Sequence, residues 1–493
     1  MLTIVSGLFE KLNEQDIRYC HWKSNESLEE ALKGKGDLDI LVDRRSADAF
    51  VSLIEYLGFK NAVDKGKKEP DSISHYYGMD AASGCIVHLH VYFRLITGGT
   101  LLKNYWLPLE EMLLNSTENL GVVKIPSKTA EFVLLVLRKA LEHGALWEIP
   151  FFYREYDRIQ REIDWLGGED GIESTARLIE HWLPSVDKEL FSACARELMP
   201  GGSFIKRITL GRKLRARLRN YSIYNPAKGL LMAGASLSRK VLRKLSARNG
   251  KALGRGVVIA IVGPEAVGKS TLQAGLKKWL EGYLWVEAVH AGRPPSTAAT
   301  FLPNLAMPLA RKLLPSLRTS RLRQEVSSKE REPLKKIEGP ALFVYALRST
   351  MVALDRMSLI RKMAFRASKG AIVICDRYPS RCAGAMDSSQ FGDTFFENRR
   401  FSLTSVLART ESRIYKSIPA PDMVIKLRLP VETAVERNIS RNKRGVESDE
   451  YVRLRHVQSH NHLFDSGHVY EMDTDKPLEE TLLEVKRCVW SVL

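Results

Sequence analysis

One run of residues constrains this chain more than any other: VVIAIVGPEAVGKSTLQAGLKKWL, residues 257–280. Six apolar residues suit a strand buried on both faces. They run into a loop from Gly263 to Ser270 that fits G-x-x-x-x-G-K-[ST] in full, and an amphipathic helical pattern follows. Strand, loop, Lys, Ser and helix in that order point to binding of a nucleotide's phosphates. Gly263 and Gly268 let backbone N–H groups wrap around phosphate oxygens. A helix starting near Lys269 turns its positive end toward the same anion. The Lys269 ammonium is expected on the β- and γ-phosphates, and the Ser270 hydroxyl on Mg²⁺, with Glu265 and Thr271 completing the loop.

Around this loop the chain keeps an α/β rhythm. Strand candidates are VVIAIV (257–262), LWVEAVHA (284–291), AIVICD (371–376), MVIKLRL (423–429) and HVYEMDT (468–474), with helical patterns between them. Near-continuous apolar strands alternating with helices predict a five-stranded parallel sheet covered on both faces. The length, 493 residues, allows more than one such domain. With 44% hydrophobic and 27% charged residues, the composition excludes a disordered or low-complexity chain. No apolar run approaches the roughly 18 residues of a membrane span, and the first sixteen residues carry acids where a signal peptide needs apolar ones. A cytoplasmic protein is expected. Six scattered cysteines without a C-x-x-C pair predict buried free thiols.

The net charge of +17 is not spread evenly. Residues 203–255 hold fifteen Lys or Arg and no Asp or Glu, leaving about +2 for the other 440. This stretch reads as a basic linker with three candidate roles. It could lie on an anionic membrane surface, because LLMAGASL flanked by RKVLRKL suits an interfacial helix. It could follow a nucleic-acid backbone, although Tyr221 and Tyr224 are its only aromatics besides Phe204. Or it is a solvated connection. The resulting division is 1–125, an α+β domain; 126–202, a helical extension; 203–255, the linker; and 256–493, the phosphate-loop domain.

Residues 256–493 resemble the thymidylate kinase family of P-loop nucleoside monophosphate kinases. Glu265 stands where that family places an acid in its loop. AIVICDRYPS supplies an Asp-Arg-aromatic motif at Asp376, Arg377 and Tyr378. LFVYALRST resembles the helix whose Arg holds the acceptor phosphate, making Arg348 the counterpart. PDMVIKLRLPVETAVERNISRNKRGVES resembles the strand, helix and lid, with Arg437, Arg441, Lys443 and Arg444 as its cations. The resemblance implies Mg²⁺ held near Ser270 and Asp376, and ATP as donor. It also implies an acceptor gripped by Arg377, Arg348, Tyr378 and the approximate counterpart Arg293. Lid residues Arg441 and Arg444 would close over the γ-phosphate. HAGRPPST and PSRCAGAMDSS depart from the family pattern, and Asp387 adds an acid there. The default acceptor is a nucleoside monophosphate; the alternative is a sugar or envelope-polysaccharide intermediate at a membrane surface.

Residues ~15–120 resemble the nucleotidyltransferase superfamily. In YCHWKSNESLEEALKGKGDLDILVD, Ser24 precedes Asp37 and Asp39, which share one face of a strand. The resemblance implies a divalent metal on those two carboxylates. The matching strand CIVHLHVYF offers His88 and His90 where the family uses a third acid. An active transferase with a regulatory P-loop domain and a non-catalytic relic both stand as readings. The expected partners are a nucleotide and a small acceptor, with the anionic membrane, nucleic acid and a homodimer as further candidates.

Overall fold

The computed structural model describes residues 1–64, 70–99, 101–142, 149–245, 250–298, 300–303, 339–385, 387–392, 395–396, 402–440, 448–459 and 462–493. The chain divides into two units, Met1–Arg248 and Asn249–Leu493.

In the first unit, strands β1 (Tyr19–His21), β2 (Asp37–Val42), β3 (Lys60–Val63), β4 (Ile73–Met79) and β5 (Ile86–Tyr92) lie side by side in the order β1-β2-β5-β4-β3. Only β2 and β5 run parallel; the other three pairings are antiparallel. Helices α1 (Thr3–Glu14) and α2 (Ala47–Tyr56) bury Val5, Leu8, Phe9, Phe50 and Ile54 against Leu38, Ile40, Val87 and Leu89. The α2 helix stops where Gly58 takes φ +82°, a left-handed conformation that costs glycine nothing. Cys20, Trp22, Leu41 and Tyr92 belong to a second core, shared with helix α3 (Lys128–Glu142). The α3 helix is buried continuously from Ala130 to Leu141, charged residues included, so it acts as the central post of this unit.

Helices α4 (Ile149–Trp165), α5 (Asp170–Trp182), α6 (Lys188–Leu198) and α7 (Phe204–Arg217) follow, and α8 (Pro226–Leu245) ends the unit. Residues of α5, α6 and α7 share the core that holds Trp22 and Tyr92. The helical extension thus shares one core with part of the sheet. The expected linker is likewise helical over most of its length. Leu214 and Leu218 are buried in that core, so the basic stretch begins as a packed helix.

The second unit carries β6 (Val257–Val262), β7 (Val286–His290), β8 (Ile372–Asp376), β9 (Met423–Arg428) and β10 (His468–Asp473). They form a five-stranded, wholly parallel sheet in the order β7-β8-β6-β9-β10. Each lies within two residues of its sequence-predicted span. Helix α9 (Lys269–Leu280) follows the loop, and helix α10 (Gly339–Ser368) buries Ile360, Met363 and Ala367 against Val258, Ala260 and Val373. Of the cysteines, Cys20, Cys194 and Cys375 are buried thiols, but Cys85 is exposed and Cys382 and Cys488 are half-exposed. The expectation of six buried thiols is corrected to three.

Candidate functional site

The loop Gly263–Gly268 leaves the carboxyl end of the central strand β6 and enters α9 at Lys269. Its backbone needs glycine at two places. Gly263 sits at φ +148°, and a Cβ there would meet Leu427 O at 2.9 Å. Gly268 caps α9 at φ +92°. Ala266, at φ +65°, takes the same left-handed region without glycine's freedom, a local strain of the kind held at ligand sites. Lys269 is buried and folds back over the loop, donating to Gly263 O at 3.0 Å and to Pro264 O.

Asp376 ends β8, next to β6 in register with Ile261. Ser270 Oγ donates to Asp376 Oδ2 at 3.0 Å. Asp376 Oδ1 is buried and has no hydrogen-bond partner. A buried carboxylate oxygen is costly unless something satisfies it. A hard cation bonded to oxygen does so. Ser270 and Asp376 are thus the residues that would hold a hard divalent cation such as Mg²⁺ beside bound phosphates.

After β8, Arg377 and Asp387 stand in the left-handed region at φ +74° and +66°. Arg377 Nη1 meets Asp387 Oδ2 at 3.2 Å, and Nη2 lies 3.8 Å from Glu265 Oε1. Asp387 Oδ1 accepts from Arg356 Nη2 at 2.9 Å. Arg356 is nearly fully buried on α10 and is fixed further by Ala291 O at 3.0 Å and by the Tyr415 hydroxyl. Two guanidinium groups therefore converge on one carboxylate beside the phosphate loop.

The sequence-predicted residues divide accordingly. Gly263, Glu265, Gly268, Lys269, Ser270, Asp376 and Arg377 come together at the loop. Thr271 follows them on α9, with an exposed side chain. Tyr378 lines the same cleft, but its hydroxyl donates to Pro419 O at 2.5 Å, and burial pushes its acidity down. Arg348 is half-buried two turns before Arg356 on α10, and Arg293 is exposed after β7. Arg441, Lys443 and Arg444 lie outside the described residues; Arg437 donates to Thr474 O at 3.0 Å. Sequence reasoning missed Arg356, Arg455 and His456. Helix α11 (Asp449–Ser459) puts Arg455 in the cleft and His456 Nε2 at 2.9 Å from Glu265 O, so that nitrogen carries the proton. An Arg inside an otherwise apolar helical stripe, as in VALDRMSLI, was the available signal for Arg356.

The first unit has its own polar cluster. The parallel register of β2 and β5 sets His88 against Asp37 and His90 against Asp39. His88 Nδ1 donates to Asp37 Oδ1 at 2.7 Å, and its Nε2 accepts from His75 Nδ1 at 2.9 Å. Asp39 is buried, with Lys23 Nζ at 2.8 Å and His90 Nδ1 at 3.1 Å from the same oxygen. Burial would raise the Asp39 carboxyl, but these partners hold it far below the usual carboxylate range. Burial lowers His90 to about 3. Deeper in, Glu131 accepts from Asn25 Nδ2 at 2.7 Å, yet burial pushes it up to about 8. The two aspartates do not fit the expected divalent ion. Each is already paired, an ammonium stands beside Asp39, and the third acid is an imidazole. Among the described residues no group of three or more His, Cys, Asp or Glu is arranged to hold a metal.

No protein-family model matches the chain. Two proteins of Escherichia coli (strain K12) are similar to it. The uncharacterized ATP-binding protein YghR is 24% identical over 236 residues, 47% of this chain and 86% of the relative. The uncharacterized ATP-binding protein YghS is 25% identical over 243 residues, 48% and 93% respectively.

Proposed function

We propose that the second unit binds ATP with Mg²⁺ and transfers its γ-phosphoryl group to a small acceptor, by the thymidylate kinase resemblance a nucleoside monophosphate. The observation that carries this reading is the Ser270–Asp376 pair beside the loop, with one buried carboxylate oxygen open. The names of the two relatives, both ATP-binding proteins, agree with the donor. In the reaction an acceptor oxygen forms a bond to the γ-phosphorus, the bond to the β,γ-bridging oxygen breaks, and ADP leaves. Mg²⁺ held by Ser270 and Asp376 would supply charge neutralisation to the phosphates during transfer. Lys269 exchanges its loop carbonyls for phosphate oxygens. Arg377 and Arg356, already aligned by Asp387, hold the acceptor end, so little order remains to be imposed at the moment of transfer.

The test is an acceptor screen with Mg²⁺-ATP, dTMP, other nucleoside monophosphates and free sugars, read as ADP release and product mass. A phosphorylated panel member, absent with Lys269→Ala, is expected. Full transfer by Lys269→Ala overturns the reading.

A second reading, with a sugar or envelope-polysaccharide acceptor at a membrane surface, is favoured by α8. Leu230, Leu237 and Val241 share one face of it and are 68%, 51% and 51% exposed. The stretch that holds them is basic without a single acid. An apolar stripe among cations matches an anionic bilayer, which takes both. Among the described residues no helix is long and apolar enough to cross a membrane. Co-sedimentation with phosphatidylglycerol vesicles, lost in Leu230→Ser/Leu237→Ser, is the expected result. Equal sedimentation of that variant removes this reading. The nucleotidyltransferase reading loses its metal at Asp37 and Asp39, and Asp37→Asn is expected to leave phosphotransfer unchanged.

A further inference from the structure

The phosphate loop holds a conformation that its own sequence disfavours. Gly263, Ala266 and Gly268 all have positive φ, at +148°, +65° and +92°. Glycine adopts such angles freely, whereas the Cβ of alanine crowds the following carbonyl oxygen. A left-handed residue without glycine's freedom persists only where its surroundings hold it. Ala266 and Val267 are buried, so packing is part of that hold. A second part acts on the peptide that joins Glu265 to Ala266, because the orientation of this rigid plane sets φ of Ala266.

His456 grips that peptide from outside the loop. Its Nε2 donates to Glu265 O at 2.9 Å. In a planar trans peptide the carbonyl and the N–H point in opposite directions, so a carbonyl tied to α11 turns the Ala266 N–H away from α11. A left-handed residue in such a loop gathers successive N–H groups into an anion-binding concavity. The anchor itself is firm. His456 is 2% exposed, Val452 one turn earlier on α11 is fully buried, and Arg453 Nη2 pairs with Glu432 Oε2 at 2.6 Å. The Lys269 bonds to the loop differ in kind. Lys269 Nζ donates to Gly263 O and Pro264 O, and it leaves them when it turns to a phosphate. A phosphate takes N–H groups and not carbonyls, so the His456 bond survives nucleotide binding.

We infer that His456 is a positioning residue for the phosphate loop. It holds the Glu265–Ala266 peptide in the orientation that presents the loop's N–H groups to the phosphates, without itself touching the nucleotide. The inference rests on the proposed ATP binding for its ligand, and on neither the transfer step nor the acceptor.

Two measurements on the full chain test it, one of them without ligand. His456→Leu keeps bulk and removes the donor. His456→Gln carries its amide nitrogen as many bonds from the backbone as Nε2, and His456→Asn carries it a bond short. In the ligand-free chain, hydrogen exchange of the loop amides is expected to speed up about tenfold in His456→Leu. In calorimetric titration with Mg²⁺-ATP, the same variant binds about tenfold more weakly. His456→Gln restores both, and His456→Asn does not. Ala266→Gly added to His456→Leu recovers part of the affinity, because glycine keeps the left-handed conformation without an anchor. A role confined to packing α11 gives no such recovery. Where His456→Leu does not fold, the contrast between the two polar variants carries the test. Two results overturn the inference: exchange and affinity in His456→Leu equal to wild type, or losses that neither His456→Gln nor Ala266→Gly repairs. A wild-type chain that binds Mg²⁺-ATP and phosphorylates no acceptor overturns the phosphotransfer reading and leaves this inference standing. A wild-type chain that binds no nucleotide overturns both.

Discussion

Both units carry a buried aspartate on a strand beside a candidate site, and they finish it differently. Asp376 gives one oxygen to the Ser270 hydroxyl and keeps the other open. Asp39 has an ammonium at 2.8 Å and an imidazole at 3.1 Å. An open buried oxygen is a vacancy for a cation; a carboxylate already neutralised is a structural anchor. The residue type is the same, so the aspartate alone does not distinguish a metal site from a salt bridge. What separates them is whether the fold delivers a cation of its own.

Four changes sharpen or break this contrast. The largest effect is expected from Lys269→Ala, which should lower phosphotransfer about a thousandfold while leaving the chain's melting temperature nearly unchanged, read by coupled ADP assay and calorimetry. Next is Asp39→Asn. It strands the Lys23 ammonium in a mostly buried setting and should cost about 3 kcal/mol in urea unfolding, with the phosphotransfer rate intact. Loss of phosphotransfer without loss of stability would make Asp39 a catalytic group and end the contrast. Asp387→Asn should come third. It loosens Arg356 and Arg377 and should raise KM for the acceptor about tenfold with little change in kcat or in KM for ATP.

The smallest effect concerns pH. Glu131 is raised to about 8 in the fold, above its unfolded value near 4.5. Between those values the folded chain holds a proton that the unfolded chain has released, so this stability is present below about pH 4.5 and falls as pH rises toward 8. The slope is at most about 1.4 kcal/mol per pH unit from this group. Glu411 in the second unit, raised to about 7, acts in the same sense over a shorter range. Glu131→Gln should flatten the pH dependence of the first unit's melting, and an unchanged slope would show that Glu131 is ionised there.

Much of the second unit was legible from local pattern. Its strands are apolar throughout because both faces are covered, and runs such as AIVICD carry that requirement residue by residue. The phosphate loop is legible for a related reason: its glycines, Lys and Ser are neighbours in the chain, and an eight-residue loop dictates their relative placement. Arg356 was not legible, because its partners Ala291, Tyr415 and Asp387 are all thirty or more residues away. Nor was the helical packing of 203–218. A row of Arg and Lys looks solvated, while the buried Ile208, Gly211, Leu214 and Leu218 recur at every third or fourth position.

From the sequence alone, then, come the loop, the parallel α/β unit built on it and the Asp-x-Asp strand of the first unit. Each is a matter of residues adjacent in the chain, where backbone geometry leaves few choices. Tertiary structure decided which carboxylates stay open. That depends on cations delivered from elsewhere: Lys23 reaches Asp39 across sixteen residues and closes it, whereas the Asp376 oxygen is left without a partner. Pairing over such distances is settled by how the elements pack, and the order of residues along the chain does not state it.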